Sequence, residues 1–260
     1  MTDLVWRGAA AFGEIRDGTI VLGLLDALER AGLTPTSYTG VDGGRSIPYS
    51  RADFEADLPR LLDGTGLNLV GSSPKFEASI DVGSRPFFRV WVDGAITPAE
   101  KASWLTLASD LVGLLSPEYA IAGWGHSPAR SEQGYATWST ARERDLAVLR
   151  VLHRPMPKDY YRLGPPGLGL RTYFSSYLIE LIGENRLFDL PAKVDRHEDG
   201  VLVDLCEDLL SSEFADVLSV WRESLDLLAP SGVFPPLDID EEDKFIEFIE
   251  RAPRYQRPPK

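Results

Sequence analysis

The sequence predicts an α+β fold in which antiparallel strands form one larger sheet, or two packed sheets, flanked by helices. Three consecutive stretches over 67–71, 75–82 and 86–92 alternate apolar and polar residues, as strands with one buried face do. Stretches over 18–32 and 97–116 instead repeat apolar residues every three to four positions, which is typical of amphipathic helices. Because turn residues separate the three alternating stretches, we expect them to form an antiparallel meander.

The first quarter of the chain predicts two helices and two short strands. The helix over 18–32 is followed by two extended pieces within 36–48, which meet at the turn Asp42-Gly43-Gly44. A second helix is predicted over 50–62 and ends before Asp63-Gly64. These elements precede the predicted meander along the chain.

A long helix follows the meander. Thr97-Pro98-Ala99-Glu100 combines a capping box with proline at the first helical position, which marks a helix start. Pro117 stops this helix, and the small and aromatic residues of 119–125 predict a further strand.

The second half repeats this order of elements. Two short strands are predicted over 193–196 and 201–205, joined by the turn Glu198-Asp199-Gly200. A helix then begins at Ser211-Ser212-Glu213 and is stopped by Pro230. Each half therefore contains two strands around a glycine turn, and then a helix with an inward tryptophan.

We interpret residues 1–260 as a single α+β domain with two halves of similar plan, about 1–125 and 155–235. The similarity is either an internal repeat or a coincidence, since two strands and a helix are a common motif. Between the halves, the sequence predicts a helix over 140–152 and a connector over 155–169 that is rich in proline and glycine. Tyrosines and arginines in the connector indicate that it packs against the body and is not a loose linker.

The charge of the chain excludes several kinds of partner. Lys and Arg number 27 against 40 Asp and Glu, and the formal net charge is −13. Such an acidic chain is repelled by nucleic-acid phosphates and by anionic membrane surfaces, so we expect neither as a partner. A hydrophobic content of 43% and a charged content of 26% are ordinary for a globular protein.

Most of this charge belongs to the last third of the sequence. Residues 1–179 carry 18 basic and 20 acidic residues, a net charge of −2, whereas 180–250 carry 5 against 20, a net charge of −15. The tail over 251–260 adds four basic residues, a net charge of +4. An acidic region of this kind would attract a basic partner and steer its approach.

Residues 238–250 predict an acidic C-terminal helix, followed by the basic tail. Its carboxylates either cap the helix and leave its apolar stripe to dock on the body, or form a partner-binding surface; the two uses are compatible. The predicted partner-binding residues combine this acidic run with two aromatic anchors: Asp238, Asp240, Glu241, Glu242, Asp243, Phe245 and Phe248.

The usual patterns of active sites, metal sites and cofactor sites are missing from the sequence. The single cysteine, Cys206, has carboxylates beside it that would raise the pKa of its thiol, and the three histidines are far apart. The glycine-rich stretch over 164–169 contains two prolines, which lack the N–H groups that a phosphate cradle needs. We therefore expect no catalytic residues, no metal and no cofactor. With no signal peptide or membrane span in the sequence, we expect a cytoplasmic protein.

One stretch of the second half resembles a known family. Its features are a PG-x-x-x-x-T-Y-F turn before a helix, a hairpin and a terminal helix, carried by residues 161–174 (YRLGPPGLGLRTYF), 178–183, Asp199-Gly200, Trp221 and Gly232-Val233-Phe234. Over roughly 160–235 the chain resembles bacterial immunity proteins of polymorphic and type VI secretion toxin systems. Arg171 and the acidic region after residue 235 have no place in the family pattern.

This resemblance implies a non-catalytic inhibitor that binds a cognate toxin with a basic cleft and blocks its active site. We expect such a protein to act as a monomer or a small homo-oligomer. An alternative is an α+β enzyme or small-ligand-binding domain with a pocket near Trp124, His126 and Tyr161, together with Tyr160 and Arg171. A weaker alternative is an adaptor that assembles through an apolar face formed by Phe245, Phe248 and Ile249.

Overall fold

The computed structural model of the protein describes residues 5–13, 15, 17–40, 44–84, 86–94, 97–126, 129–130, 136–137, 157–209, 214–235, 237–240 and 245–248. The helix predicted over 140–152 lies outside these residues. Within them, ten strands form one antiparallel sheet, which confirms the predicted α+β class.

The strands of this sheet are short to medium in length and come from both halves of the chain. They are β1 (Val5–Phe12), β2 (Ser37–Gly40), β3 (Ile47–Pro48), β4 (Gly66–Ser72), β5 (Lys75–Asp81), β6 (Phe87–Asp93), β7 (Tyr119–His126), β10 (Arg171–Phe174), β11 (Lys193–His197) and β12 (Gly200–Asp204). Across the sheet their order is β11-β12-β10-β7-β1-β6-β5-β4-β2-β3. Two separate two-stranded sheets join β8 (Ala129–Arg130) to β9 (Ala136–Thr137) and β13 (Leu237–Asp240) to β14 (Phe245–Phe248).

Seven helices accompany the strands in the described part of the chain. They are α1 (Gly18–Arg30), α2 (Arg51–Leu62), α3 (Pro98–Leu115), α4 (Pro157–Leu163), α5 (Ser176–Ile182), α6 (Glu184–Phe188) and α7 (Phe214–Leu228). A 3-10 turn, Ala229–Ser231, continues α7.

The helices cover the two faces of the sheet. On one face, α3 contacts β1, β7 and β10, and its Glu100 accepts a hydrogen bond from Arg7 of β1 at 3.2 Å. On the other face, Tyr160 of α4 stacks on Phe12 of β1 with ring centroids 4.0 Å apart. Because Arg7 and Phe12 are five residues apart in one strand, their side chains point to opposite faces.

The face opposite α3 also receives the last long helix. The indole N–H of Trp221 in α7 donates a hydrogen bond to the carbonyl of Leu168 at 2.9 Å. Leu168 lies in the loop that leads into β10. Tyr160 is only 1% exposed. The described part of the connector, residues 157–169, thus packs against the body, as its aromatic residues predicted.

The helix starts follow the local chemistry that the sequence predicted. Thr97 and Glu100 form a reciprocal capping box at the start of α3, and Ser50 accepts a hydrogen bond from the Asp53 N–H at the start of α2. The meander β4-β5-β6 and the hairpin β11-β12 are also confirmed. Both halves contribute to one sheet, and the internal repeat stays a prediction.

The C-terminal helix predicted over 238–250 is wrong. The structure has a hairpin there, in which β13 and β14 pair Asp238 with Glu247 and Asp240 with Phe245. Leu237-Asp238-Ile239-Asp240 alternates apolar and acidic residues with a period of two, which suits a strand and not a helix. The acidic cluster had indicated a helix N-terminus, but Asp238 and Asp240 lie in β13, and Glu241, Glu242 and Asp243 lie outside the described residues.

Gly200, at the start of β12, leaves no space for a side chain. A Cβ atom there would lie 2.5 Å from the Tyr173 hydroxyl oxygen and would also meet the carbonyl oxygen of Phe174. We expect Gly200→Ala to lower the free energy of unfolding by about 2 kcal/mol, since both neighbours must shift in a packed core. Urea denaturation monitored by tryptophan fluorescence measures this change.

Gly113 provides the matched control for this substitution. It lies in α3, is exposed, and has no atom within 4 Å of the place that a Cβ would occupy. Gly113→Ala should therefore stabilise the protein by about 0.5–1 kcal/mol, because alanine is the better helix former. Equal destabilisation by both substitutions would contradict the packing described at Gly200.

Candidate functional site

The last strand of the sheet presents charged residues to solvent. β12 is buried along its whole length, whereas Lys193, Asp195 and Arg196 of β11 are exposed. No described strand pairs with the outer side of β11, which ends the sheet. Charged side chains on an edge strand hinder its pairing with other chains.

The turn between these strands presents two carboxylates. Glu198 and Asp199 connect His197 to Gly200, which are paired in the register. Glu198 has a φ of 53°, in the left-handed region where glycine or asparagine is usual. Both residues are exposed, so the strained backbone holds an acidic pair at the tip of the hairpin.

A tyrosine fixes one side of this turn. The Tyr173 hydroxyl donates a hydrogen bond to the Asp199 carboxylate at 2.8 Å, and the His197 ring lies edge-on to the Tyr173 ring. Burial, followed by the bond to Asp199, raises the pKa of Tyr173 well above its usual value. The phenol therefore stays a donor at neutral pH.

An aromatic residue is exposed beside the same strand. Phe188, at the end of α6, is 43% exposed, and the Arg196 guanidinium lies 5.7 Å from the centre of its ring. Arg196 also forms an ion pair with Glu184 of α6. This arrangement joins α6 to β11 through side chains at the surface.

We name this surface the acidic edge. It consists of Phe188 and of exposed charged residues of α6, β11 and the adjoining turns: Glu184, Asp189, Lys193, Asp195, Arg196, Glu198 and Asp199. Arg196 extends from the face of β11 that meets Phe188, whereas Lys193 and Asp195 extend from the opposite face.

Acidic residues are exposed throughout this part of the chain. Among the described carboxylates from 180 to 235, only that of Asp204 is buried; the exposed ones are Glu180, Glu184, Asp189, Asp195, Glu198, Asp199, Glu207, Asp208, Asp216, Glu223 and Asp226. Two of these carboxylates form ion pairs, Glu184 with Arg196 and Asp195 with Lys193. The negative charge of the second half thus faces solvent.

Asp204, the buried carboxylate of β12, joins β12 to the neighbouring strand β10. Arg171 of β10 donates from Nε and Nη2 to the two oxygens of Asp204, both at 2.7 Å. Its Nη1 donates to the Leu105 carbonyl and to Ser109 Oγ, both at 3.2 Å, and so ties β10 to α3. The guanidinium is thus held by four acceptors and has a structural role.

Raising the pH should weaken the contact between Tyr173 and Asp199. The folded-state pKa of Tyr173 is raised above the unfolded value near 10, so its contribution to stability is complete below pH 10 and is lost as pH rises towards the folded pKa. We expect the unfolding free energy of wild type to fall more steeply above pH 10 than that of Tyr173→Phe. Denaturant unfolding at pH 8 to 11 measures both slopes, and identical slopes would contradict this coupling.

The structure describes four of the seven predicted partner-binding residues. Asp238 and Asp240 lie in β13, and Phe245 and Phe248 lie in β14; the register brings Asp240 opposite Phe245. The remaining three, Glu241, Glu242 and Asp243, lie outside the described residues. Asp240 and Phe245 are therefore close in space, and the use of these residues by a partner stays a prediction.

The alternative pocket is not formed as expected. Trp124 lies on the α3 face, where Lys101 is 5.4 Å from the centre of its ring. Tyr161 lies on the opposite face, where its hydroxyl donates to the Pro86 carbonyl and its ring contacts Phe12. The structure thus does not bring Trp124 and Tyr161 into one pocket, and of His126 it describes the backbone in β7.

A small cleft between α3 and the strands contains Arg171, Tyr173 and Leu202 in its lining. Its cavity volume of about 10 Å³ is about the space that one water molecule occupies, far below the volume of typical ligand pockets. The described residues contain no group of three or more His, Cys, Asp or Glu side chains that could hold a metal ion.

Sequence reasoning missed Phe188 as a surface residue. Glu198 and Asp199 were predicted as a turn, but only the structure places α6 beside β11, where Arg196 contacts Phe188. The acidity of residues 180–250 was the signal that pointed to this region. Exposure of a single phenylalanine has no sequence signal, since an apolar residue in a short helix is more often buried.

Comparison with known proteins identifies a similar fold. No family model matches the chain, and no curated protein matches it. The solved structure of Pseudomonas aeruginosa T6SS protein PA0821, from a type VI secretion system, is similar with a TM-score of 0.53 and 13% sequence identity. The match covers 86% of this chain and 76% of that chain. At this identity the likeness shows a shared fold. Separately, no helix among the described residues is long and apolar enough to cross a membrane.

Proposed function

We propose that this protein is an immunity protein: it binds a cognate bacterial toxin through its acidic C-terminal part and blocks the toxin's active site without catalysing a reaction. It does so in the cytoplasm, before the toxin reaches its target. The basic cleft of a toxin that acts on nucleic acid or nucleotides is the chemical counterpart of such a surface.

The observation that carries this proposal is the exposure of the carboxylates between residues 180 and 235. By sequence, residues 180–235 carry 13 acidic and 4 basic residues, an excess of 9 that rises to 15 over 180–250. A surface with such an excess repels itself and weakens the fold, and a basic partner removes that repulsion. The shared fold with a T6SS protein and the resemblance of residues 160–235 to immunity proteins support the same function.

Expression in a bacterial host tests the proposal. The probe is the C-terminal domain of the protein encoded directly upstream of this chain. We expect that domain to arrest growth when expressed alone, and growth to resume when this protein is expressed with it. The purified pair should elute together in size-exclusion chromatography.

The control expresses the same genes with a frameshift at the start of this chain's reading frame. If growth stays arrested although this protein is folded and as abundant as the toxin domain, the proposal is contradicted. An upstream domain that neither harms the host nor binds this protein would contradict it as well.

A further inference from the structure

The outermost strand, β11, offers an edge to which a further strand can be added. Its inner side pairs with β12, and no described strand pairs with its outer side. Such an edge carries backbone N–H and C=O groups that can bind another strand. Charged side chains hinder this wherever like charges meet, so the side chains of β11 decide which strand fits beside it.

The two faces of β11 differ in chemistry. Lys193 and Asp195 lie on the face of the sheet that α3 covers, because the register places them opposite Asp204 and Leu202 of β12. The opposite face carries Val194 and Arg196, preceded by Ala192. Lys193, Asp195 and Arg196 are exposed, whereas Ala192 and Val194 are half-buried. A matching strand therefore needs an acidic and a basic residue on one face and room beside small apolar residues on the other.

A second copy of β11 meets these requirements. When two copies run antiparallel about a two-fold axis at Val194, Lys193 of each copy lies opposite Asp195 of the other. On the opposite face the two Val194 side chains are neighbours, and Ala192 lies opposite Arg196. Opposite charges and apolar side chains that face each other across two strands stabilise their pairing.

The two nearest registers that keep the faces matched are less favourable. An axis at Asp195 places the two Asp195 carboxylates opposite each other, and an axis at Lys193 does the same with two lysines. Like charges directly opposite each other destabilise a sheet. The sequence Lys193-Val194-Asp195 therefore favours one antiparallel register over its neighbours.

The net charge of the chain opposes association, but it acts over a longer range. Each copy has a formal net charge of −13, so two copies repel each other. At 0.1 M salt, exposed charges separated by more than about 10 Å are largely screened. Side chains opposed on neighbouring strands are closer than this, so their attraction is screened less than the overall repulsion.

We propose that β11 binds β11 of a second copy of this chain, antiparallel and centred on Val194, so that the ten-stranded sheet continues across a two-fold axis. The contact is the same patch on both copies, with two Lys193–Asp195 pairs on one face and the two Val194 side chains on the other. This inference does not depend on the proposed function, since it concerns association of the chain with itself.

Charge exchange tests the pairing. Sedimentation equilibrium over about a hundredfold range of concentration measures the dimer Kd, and wild type should become dimeric within that range. Lys193→Asp sets two carboxylates opposite each other, and Asp195→Lys sets two lysines opposite each other. We expect each single variant to raise Kd at least about tenfold, and the double variant, Lys193→Asp with Asp195→Lys, to dimerise like wild type. An equimolar mixture of the two single variants should form heterodimers, since every charged pair across their interface then joins aspartate to lysine.

Lys75→Asp provides the matched control, because it makes the charge change of Lys193→Asp at an exposed position of β5, which is well inside the sheet order. It should leave the dimer Kd at the wild-type value, and circular dichroism checks that all variants are folded. A wild type that stays monomeric would overturn the proposal, as would a dimer Kd that neither Lys193→Asp nor Asp195→Lys changes.

A crosslink tests the register separately. In a Cys206→Ser background, Val194→Cys places two thiols on directly opposed residues, which mild oxidation should join into a covalent dimer. Arg196→Cys in the same background should not crosslink, because its two copies lie about 13 Å apart along the strands, beyond the reach of a disulfide. Crosslinking of Arg196→Cys in place of Val194→Cys, or mixed single variants that stay monomeric, would overturn the register centred on Val194.

Discussion

Replacing Arg171 with methionine should lower the free energy of unfolding by about 3–5 kcal/mol, the largest effect expected of a single substitution in this protein. The side chains of Arg171 and Asp204 are only 17% and 9% exposed, and they form two parallel hydrogen bonds of 2.7 Å. Methionine fills much of the space but leaves the Asp204 carboxylate buried with no guanidinium. Urea denaturation with a linear fit gives the difference.

A double substitution separates the cost of an unpaired charge from the value of the pair. Arg171→Met together with Asp204→Leu removes both charges and should recover most of the lost stability, because two buried charges that leave together strand no partner. Lys193→Met provides a control at an exposed pair, Lys193 with Asp195, and should cost less than about 1 kcal/mol. A change below about 1 kcal/mol for Arg171→Met alone would contradict the structural role of this arginine.

Reversing the charges of Asp240, Glu241 and Glu242 to lysine should slow association with the upstream-encoded toxin domain by about tenfold or more at low salt. The acidic part of the chain attracts a basic partner over a distance of about 10 Å at 0.1 M salt, and the effect falls as salt screens it. Dissociation should change less than association. Stopped-flow measurement at two salt concentrations gives both rates.

A control with a similar charge change comes from the first half of the chain. Asp63 and Glu77 are exposed carboxylates outside the acidic part, and their reversal is compared with that of Glu241 and Glu242. We expect the control to affect association far less at equal net charge, and both variants to unfold like wild type. Equal slowing in the two variants would mean that net charge, and not the position of the charge, governs association.

Much of the fold could be predicted because its rules are local. The capping box of Thr97 and Glu100 needs only four consecutive residues, and the meander β4-β5-β6 follows from the period-two alternation of its strands. The sequence Glu198-Asp199-Gly200 between two predicted strands likewise indicated the turn. Each of these features is determined by neighbours along the chain.

The hairpin of β13 and β14 was missed because two local signals compete there. The run of carboxylates from Asp240 to Asp243 favours a helix start, whereas the alternation of residues 237–240 favours a strand. Pairing with β14 decides in favour of the strand. Pairing between strands is a tertiary interaction, and a single stretch of sequence does not contain it.

The candidate site depends on tertiary contacts in the same way. Arg171 and Asp204 are 33 residues apart, and the register of β10 with β12 brings them together. Phe188 meets Arg196 only because α6 packs beside the last strand. The sequence could point to the acidic region through its charge, but it could not show that Arg196, paired with Glu184, contacts an exposed aromatic residue.

An immunity protein that acts by binding inhibits its toxin stoichiometrically and leaves it chemically intact. Titration of the activity of the upstream-encoded toxin domain with purified protein, followed by separation of the pair under denaturing conditions, measures both properties. We predict that inhibition is complete at a fixed molar ratio set by the complex and that the recovered toxin, once refolded, is chemically unchanged and active. Inactivation by a small fraction of an equivalent, or a toxin recovered with a covalent change, would contradict neutralisation by binding and indicate an enzyme.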